Sequence, residues 1–291
     1  MGALGRLYAG RLCLSGAAVA ALHTGHQGDC RYLLSDSQGQ HQIQLPWGWP
    51  QTQPQAVLVM VKAYQVVAAV TPWAERIAAL RLPVVLLHNG MGTLAPCQTL
   101  LGEQVPILLG CSSHGALRDE QGNVRHSGFG TTTLGHGSGP PLSMDARLAL
   151  CQRLEQALPP VHWSDQIEQA LWLKLAINAV INPLTALHQC PNGALAEPRF
   201  AALQQQLIAE LALFFSHAGI ALNEAQLTAA ISTTIRATAT NLSSMNRDLA
   251  AGRRTEIDAI SGYLLSESRR FGLTLVTHQQ LYEAIRLAEQ R

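Results

Sequence analysis

The chain has 291 residues, of which 47% are hydrophobic and 13% charged, with a formal net charge of +1. This composition supplies ample material for a core, and the lack of a basic stripe argues against a nucleic-acid partner. The six cysteines show no C-x-x-C spacing and the histidines no H-E-x-x-H spacing, which favours reduced thiols and no metal site. We recognise no apolar run of membrane-spanning length and no signal peptide, so the sequence predicts a soluble, cytoplasmic protein without membrane contact.

The first half of the chain alternates short apolar runs with stretches of helical spacing. Buried strands are predicted at Val19–Leu22, Val57–Val61, Val84–Leu87 and Pro106–Cys111, with helical spacing in Gln65–Leu80. Uninterrupted apolar strands separated by helices are typical of a parallel sheet that is covered on both faces. The glycine- and threonine-rich region 122–142 indicates turns and edge strands.

The second half of the chain is almost entirely helical in its pattern. Helices are predicted over residues 198–217, 224–249, 256–271 and 279–289. The sequence thus predicts an α/β fold with a Rossmann-type N-terminal domain, residues 1–160, and an all-α C-terminal domain, residues 161–291. A cleft between the two is the expected ligand site. The chain could act as a monomer or a homodimer.

Three polar residues recur at helical spacing in an otherwise apolar segment: Lys174, Asn178 and Asn182. On a helix they share one face, and unpaired burial of such groups is costly. The stripe therefore favours a site where a cation and two amides meet a small polar ligand. The alternative is a solvated lysine with surface asparagines, the second of which simply ends a helix before Pro183.

The first residues, Gly2, Ala3, Leu4 and Gly5, match the second half of a G-x-G-x-x-G turn that leads into a helix. Such a turn brings backbone amides to a dinucleotide pyrophosphate, although a lone G-x-x-G is a weak signal. The strand and the first glycine that normally precede the turn are missing from this sequence. Because the later motifs are intact, we expect the true translation start to lie upstream.

Further polar residues follow predicted strands, where ligands of α/β sheets collect. Lys62 follows the strand at Val57, and Asn89 follows the strand at Val84. The alternative for this pair is a solvated lysine and a turn asparagine. Beyond the strand at Val19, a dinucleotide fold places an acid for a free 2′-hydroxyl of the ribose or an arginine for a 2′-phosphate. His23 and Thr24 stand there and settle neither choice, and Arg31 is the nearest strong cation.

Segments along nearly the whole chain resemble the ketopantoate reductase (2-dehydropantoate 2-reductase) family. The resemblance rests on Gly2–Gly5, Lys62–Gln65, His88–Thr93, Trp172–Ala186, Cys190–Gly193, Asn241–Met245 and Thr255–Asp258. It implies a Rossmann domain, a helical domain and NADPH-dependent reduction of 2-dehydropantoate to pantoate, on the route to pantothenate and coenzyme A.

The resemblance also implies site residues, position by position. Lys174 matches the catalytic lysine, and Glu256 matches an acid at the junction of cofactor and substrate. The expected substrate contacts are Asn89, Asn178, Asn182, Asn192, Asn241 and Ser244. The expected cofactor contacts are Gly2, Ala3, Leu4, Gly5, Lys62, Asn89, Ala116 and Glu256.

The residue types suit the reaction, since a lysine can donate the proton that a developing alkoxide needs. Ser244 and backbone amides near it could hold the substrate carboxylate. Without the resemblance, Glu256 would be interpreted as an ordinary first-turn glutamate and Ser244 as an unremarkable helix serine. Two other functions stay open: a reductase of a different 2-keto acid, and a cofactor-deficient, non-catalytic homologue. NADPH is expected, but no residue here settles its choice over NADH.

Overall fold

The computed structural model describes residues 1–23 and 28–290. The chain divides into two compact units. Unit 1 comprises Met1–His88 and Thr93–Ile167, and unit 2 comprises Asn89–Gly92 together with the chain from Glu168 onward. The short segment Asn89–Gly92 thus belongs to the helical unit, although it directly follows a strand of the α/β unit.

Unit 1 combines strands and helices. Its strands, within the described residues, are β1 (Asp29–Asp36), β2 (Gly39–Pro46), β3 (Val57–Val59), β4 (Val84–Leu87), β5 (Ile107–Ser112), β6 (Gly115–Arg118), β7 (Val124–Gly128), β8 (Thr132–Ser138) and β9 (Val161–Trp163). Its helices in the same residues are α1 (Ala3–Leu14), α2 (Val66–Val70), α3 (Ala74–Leu80), α4 (Leu94–Leu101) and α5 (Met144–Ala157).

The strands of unit 1 form two sheets. One has the order β3-β4-β5-β8-β9 and the other β2-β1-β7-β6. In the first sheet β3, β4 and β5 run parallel, whereas β8 is antiparallel to β5. All four residues of β4 are buried, as its uninterrupted apolar run predicts. The predicted α/β class is confirmed, with the difference that the sheet is mixed.

The strand predicted at Val19–Leu22 is wrong. Only an isolated bridge between Ala21 and Trp47 forms there, in keeping with the poor strand propensity of its central alanines. The sequence reading instead missed the antiparallel hairpin of β1 and β2, which pairs Asp36 with Gly39 at its turn. A pattern in the first strand indicates this hairpin: buried Cys30, Tyr32 and Leu34 alternate with exposed or half-exposed neighbours.

Unit 2 is built from helices. Within the described residues these are α6 (Ile167–Leu187), α7 (Ala201–His217), α8 (Glu224–Ala237), α9 (Ser244–Ala250), α10 (Ser261–Arg270) and α11 (Val276–Ala288). Helix α6 contributes to the core with Leu175, Ala179, Val180 and Leu184, each no more than 1% exposed. Phe214 and Phe215 of α7 pack in the same core. The polar stripe is thus carried by a central helix of this unit.

Two predicted helices are interrupted in the structure. The helix predicted over 224–249 consists of α8 and α9, because the segment between them pairs elsewhere: Asn192 and Gly193 donate their backbone N–H groups to the carbonyls of Asn241 and Ala239. The helix predicted over 256–271 begins as a separate 3₁₀ turn, Ile257–Ala259, before α10. Local periodicity carries no sign of such long-range pairing, which explains both errors.

Helix α6 is long and apolar enough to cross a membrane, judged by length and composition alone, with a mean hydropathy of 1.4 over its most apolar window. No apolar run of this length is predicted from the sequence, because Lys174, Asn178 and Asn182 interrupt the run. More than half of the window, 56%, is buried within the structure. A core helix of a globular unit has this same composition.

Candidate functional site

Helix α6 places Lys174, Asn178 and Asn182 on one face, as predicted from their spacing of four residues. Lys174 and Asn182 are eight positions apart, which corresponds to about 12 Å along the helix. Lys174 and Asn178 are half-buried, whereas Asn182 is 6% exposed. The helix continues through Pro183 to Leu187, so the alternative of a helix end at the proline is wrong. Leu184, Thr185 and Ala186, the turn that follows the proline, are fully buried, and their packing keeps this part of the chain helical.

Asn89 and Glu256 are brought together within unit 2, although 167 positions separate them in the chain. The Asn89 side-chain Nδ2 donates to Glu256 Oε2 over 3.3 Å. Gly90 makes this approach possible: its φ is +78°, and a Cβ there would lie 2.5 Å from the Ala259 carbonyl oxygen. The Met91 N–H donates to that same oxygen over 2.9 Å. The segment is thereby fixed against the turn that follows Glu256.

Glu256 is not the ordinary first-turn surface glutamate of the alternative interpretation. It is 4% exposed and precedes the 3₁₀ turn Ile257–Ala259. The Ile257 N–H donates to Thr255 Oγ1, and the Thr255 N–H donates to Glu289 Oε1. A carboxyl group this buried needs polar partners, and Asn89 supplies one of them.

Asn192 and Asn241 are also adjacent in unit 2. The Asn192 N–H donates to the Asn241 carbonyl over 2.9 Å, and Asn192 Nδ2 donates to Thr238 Oγ1 over 2.9 Å. Asn192 is 7% exposed, and its Oδ1 is buried with no hydrogen-bond partner among residues 1–23 and 28–290. Buried amide oxygens are rarely left unpaired, so this atom is suited to accept a bond from a ligand. The Asn241 side chain is exposed.

Ser244 is the first residue of α9, and it is exposed. Its neighbour Ser243 caps the helix, with Oγ accepting from the Asn246 N–H over 3.1 Å. Ser243 in turn accepts from the Thr185 hydroxyl, one turn beyond Asn182 on α6, over 2.8 Å. The elements that carry Asn182, Asn192, Asn241 and Ser244 therefore meet at one end of unit 2. Sequence reasoning missed Thr185, Ser243 and Asn246, because such residues are ordinary in helices and caps.

The predicted glycine turn lies in unit 1 at the start of α1. Gly2 is the residue before the helix, with φ −76° and ψ −179°, and no side chain caps it. A Cβ on Gly5 would lie at an ordinary contact distance of 3.4 Å from the Met60 carbonyl oxygen, so α1 packs beside the chain just after β3. Close helix–strand packing is the role of the last glycine in dinucleotide-binding turns.

Arg6, which sequence reasoning did not single out, follows this turn. Its guanidinium carbon lies 4.9 Å from the centre of the Tyr32 ring. Its Nε and Nη1 atoms are buried, and neither has a hydrogen-bond partner in the part of the chain that the structure describes. Unpaired guanidinium donors in the first turns of a helix suit an anionic group. Unit 1 thus offers donors that fit a dinucleotide phosphate.

The other predicted cofactor contacts of unit 1 are Lys62, which follows a strand of one sheet, and Ala116, which lies in the other sheet. Lys62 is half-buried just past β3, before the 3₁₀ turn Ala63–Gln65. Ala116 is half-buried on β6. Arg31 is exposed on β1, with its guanidinium 3.6 Å from the Asp29 carboxylate. Thr24, where a selective arginine was expected, lies outside the described residues.

Two buried histidines adjoin Ala116. His126 is its register partner on β7, and the ring centres of His114 and His126 are 5.4 Å apart. Burial lowers the pKa of His114 to about 4, and it lowers that of His126 as well. The Gly130 N–H donates to His114 Nδ1 over 3.1 Å, which places the proton of the neutral ring on Nε2. These rings are neutral near pH 7.

Among the described residues the cysteines form no disulfide, and the possible metal-binding side chains do not cluster. All six cysteines are free thiols, and no group of three or more His, Cys, Asp or Glu side chains is arranged to hold a metal ion among residues 1–23 and 28–290.

The fold places the chain in the class of two-unit proteins in which a Rossmann-type α/β unit precedes a helical unit. The family model of ketopantoate reductase PanE/ApbA matches residues 1–139, and the model of its C-terminal part matches residues 166–289. Together the two models cover most of the chain. It belongs to the ketopantoate reductase family.

Individual relatives agree with this membership. A 2-dehydropantoate 2-reductase from Salmonella typhi is 36% identical over 293 residues, which cover 99% of this chain and 93% of that protein. The crystal structure of a ketopantoate reductase from Ralstonia eutropha is 25% identical, with a TM-score of 0.82 over 99% of this chain and 96% of that one. A ternary structure of D-mandelate dehydrogenase with NADH and anilino(oxo)acetate is 20% identical, with a TM-score of 0.84 over 99% and 96% of the two chains, and shows likeness of fold alone.

Proposed function

We propose that the protein reduces the keto group of 2-dehydropantoate to give pantoate, with NADPH as the electron donor, in the synthesis of pantothenate and coenzyme A. The chain belongs to the ketopantoate reductase family. The observation that carries the proposal is that the buried Glu256 carboxylate is bonded to Asn89 in the same unit as the polar stripe of α6. A nicotinamide cofactor follows from the family. The choice of NADPH rests on resemblance.

The reaction adds a hydride and a proton across the carbonyl. The nicotinamide, when bound, supplies the hydride to the carbonyl carbon. In the proposal the Lys174 ammonium hydrogen-bonds the carbonyl oxygen and transfers one proton to it as negative charge develops, leaving a neutral amine that solvent reprotonates. Glu256 would hold the substrate hydroxyl beside Asn89.

The amides and hydroxyl of unit 2 would bind and orient the keto acid. Asn178 and Asn182 extend the stripe beyond Lys174, and Asn192 offers its buried Oδ1 as an acceptor. Asn241 and Ser244 present exposed polar groups at the same end of the unit. Several uncharged groups can fix a ligand's orientation without competing with the lysine for protons.

The cofactor would be held mainly by residues 1–160 and the substrate by residues 161–291. Backbone amides at Gly2, Ala3, Leu4 and Gly5 would face the pyrophosphate at the start of α1, and the unpaired donors of Arg6 support an anion there. The other proposed cofactor contacts are Lys62, Ala116, Asn89 and Glu256. A cytoplasmic location is supported by the six free thiols, which suit a reducing compartment.

The test is steady-state oxidation of reduced cofactor by 2-dehydropantoate. We expect turnover with NADPH to exceed turnover with NADH, and a clear NADH preference would refute the cofactor assignment. A panel of other 2-keto acids assayed alongside distinguishes a reductase of a different keto acid, which would turn over another member of the panel faster.

Replacement of Lys174 tests the proton donor. Lys174→Ala is expected to lower kcat by about 100-fold or more, the contribution typical of a general acid. Lys174→Arg keeps the positive charge but cannot release a proton near pH 7, so it should retain substrate affinity and still lose turnover. The control Arg236→Ala removes a cation from the exposed face of α8. Near-normal kcat in both lysine variants would exclude the assigned role.

A further inference from the structure

Three buried polar side chains form a network at one end of unit 2. Thr185 is 0% exposed, Ser243 is 7% exposed and Asn246 is 2% exposed. None of them stood out in the sequence, and none belongs to the polar stripe. Polar groups as buried as these must satisfy one another, since an unpaired polar group in the interior is strongly destabilising.

The bonds of the network run in a connected chain. The Thr185 hydroxyl shares its one proton between Ser243 Oγ and the Ile181 carbonyl of its own helix, each 2.8 Å away, and Ser243 Oγ accepts from the Asn246 N–H over 3.1 Å. The Asn246 side-chain amide returns to donate to the Thr185 carbonyl over 2.7 Å and to the Cys190 carbonyl over 3.3 Å. A loop of bonds thus closes around Thr185, and one branch leaves it at Cys190.

Each end of the network adjoins a proposed substrate contact. Thr185 lies three residues after Asn182 on α6, and Ser243 directly precedes Ser244. Cys190 lies two residues before Asn192, in the segment that leads to its 3₁₀ turn. Three separate stretches of chain are therefore fixed to one another at a single buried point. Each stretch carries at least one of the amides or hydroxyls assigned to the keto acid.

We infer that Thr185, acting through Ser243, and Asn246, acting through the Thr185 and Cys190 carbonyls, are positioning residues that set the geometry of the keto-acid contacts and therefore the affinity for the keto acid. The inference rests on the proposed function for its substrate. The network touches none of the reacting atoms in this account, so its loss should weaken substrate binding more than it slows the chemical step. A displacement of about 1 Å in such contacts can cost up to about 100-fold in rate or affinity.

The test compares two substitutions at one position. Thr185→Val keeps the shape and removes the hydroxyl, whereas Thr185→Ser keeps the hydroxyl and removes a methyl group. We expect Thr185→Val and Asn246→Leu to raise the KM for 2-dehydropantoate by about tenfold, which corresponds to about 1.4 kcal/mol. The KM for the cofactor and kcat should change less than about twofold. Thr185→Ser should restore most of the affinity.

A control separates positioning from general loss of stability. Asn223 caps α8 in the same unit through a capping box, and Asn223→Ala should cost about 1 kcal/mol of stability without altering substrate KM. If Thr185→Val and Asn223→Ala lower stability alike and shift KM alike, or if neither shifts KM, the inference is overturned. A wild-type protein that does not turn over 2-dehydropantoate refutes the proposed function instead.

Hydrogen exchange measures the same coupling without substrate. In Thr185→Val the backbone amides of Cys190, Asn192, Gly193 and residues 243–247 should exchange faster than in the wild type, because the buried link between these segments is broken. In Asn223→Ala the same amides should keep their wild-type rates. Unchanged exchange in both segments of Thr185→Val would overturn the inference independently of any activity.

Discussion

Gly90→Ala perturbs the structure at the point where Asn89 is fixed beside Glu256. The substituted Cβ would lie 2.5 Å from the Ala259 carbonyl oxygen and 2.7 Å from the Ala259 Cβ, so the segment or the turn must move. An alanine at φ +78° also pays a strain of about 1–2 kcal/mol. Relief of the overlap requires a shift on the order of 1 Å, which separates the Asn89 amide from the Glu256 carboxylate. The expected loss in kcat/KM is about 10- to 100-fold.

The matched control is Gly219→Ala, because Gly219 has a φ of +69° and nothing within 4 Å of its added Cβ. It carries the same type of backbone strain without the overlap. Chemical denaturation and steady-state kinetics of both variants therefore separate strain from displacement. Both should lose stability, but only Gly90→Ala should lose kcat/KM. Equal kinetics in the two variants would refute the argument that this contact positions Asn89.

Two further predictions concern unit 2. Gly193→Ala should lower the free energy of unfolding by about 1–3 kcal/mol and raise the substrate KM, because its Cβ would lie 2.8 Å from the Ala239 Cβ and displace Asn192. Chemical denaturation and steady-state kinetics check this prediction, and an unaltered free energy of unfolding together with an unaltered KM would contradict it. Burial lowers the pKa of His278 to about 4 while its ring contacts the Leu207 carbonyl, so the unfolded chain takes up a proton at a higher pH than the folded one. This one ring should thus stabilise the protein fully above about pH 6.5 and by on the order of 3 kcal/mol less near pH 4. His114 and His126 contribute in the same direction, so the test compares the free energy of unfolding of the wild type and of His278→Gln at several pH values; an identical pH dependence in the two would refute the assignment.

Part of the fold could be predicted because its signals are local. The buried run of β4 and the helical period of α6 each mark their element without help from the rest of the chain. The break between α8 and α9 could not be predicted in this way, since it depends on hydrogen bonds to Asn192 and Gly193, some 46 residues away. The hairpin of β1 and β2 had a readable alternation that was overlooked.

The candidate site shows the same division. The stripe of Lys174, Asn178 and Asn182 follows from spacing alone, because four residues make about one turn of helix. The proximity of Asn89 to Glu256 comes from tertiary structure, and only the family resemblance pointed to that pair in advance. Thr185 gave no signal, because a threonine within an apolar helix is ordinary until its partner is seen across the packed interface.

The most direct test of the central claim is the fate of the transferred hydrogen. The protein is incubated with 2-dehydropantoate and NADPH that carries deuterium at the transferable position of its nicotinamide, and the product is analysed by mass spectrometry. The account predicts pantoate with a single deuterium on the carbon that bore the keto group, and predicts almost none from Lys174→Ala in the same time. Absence of deuterated pantoate from the wild-type protein would contradict it.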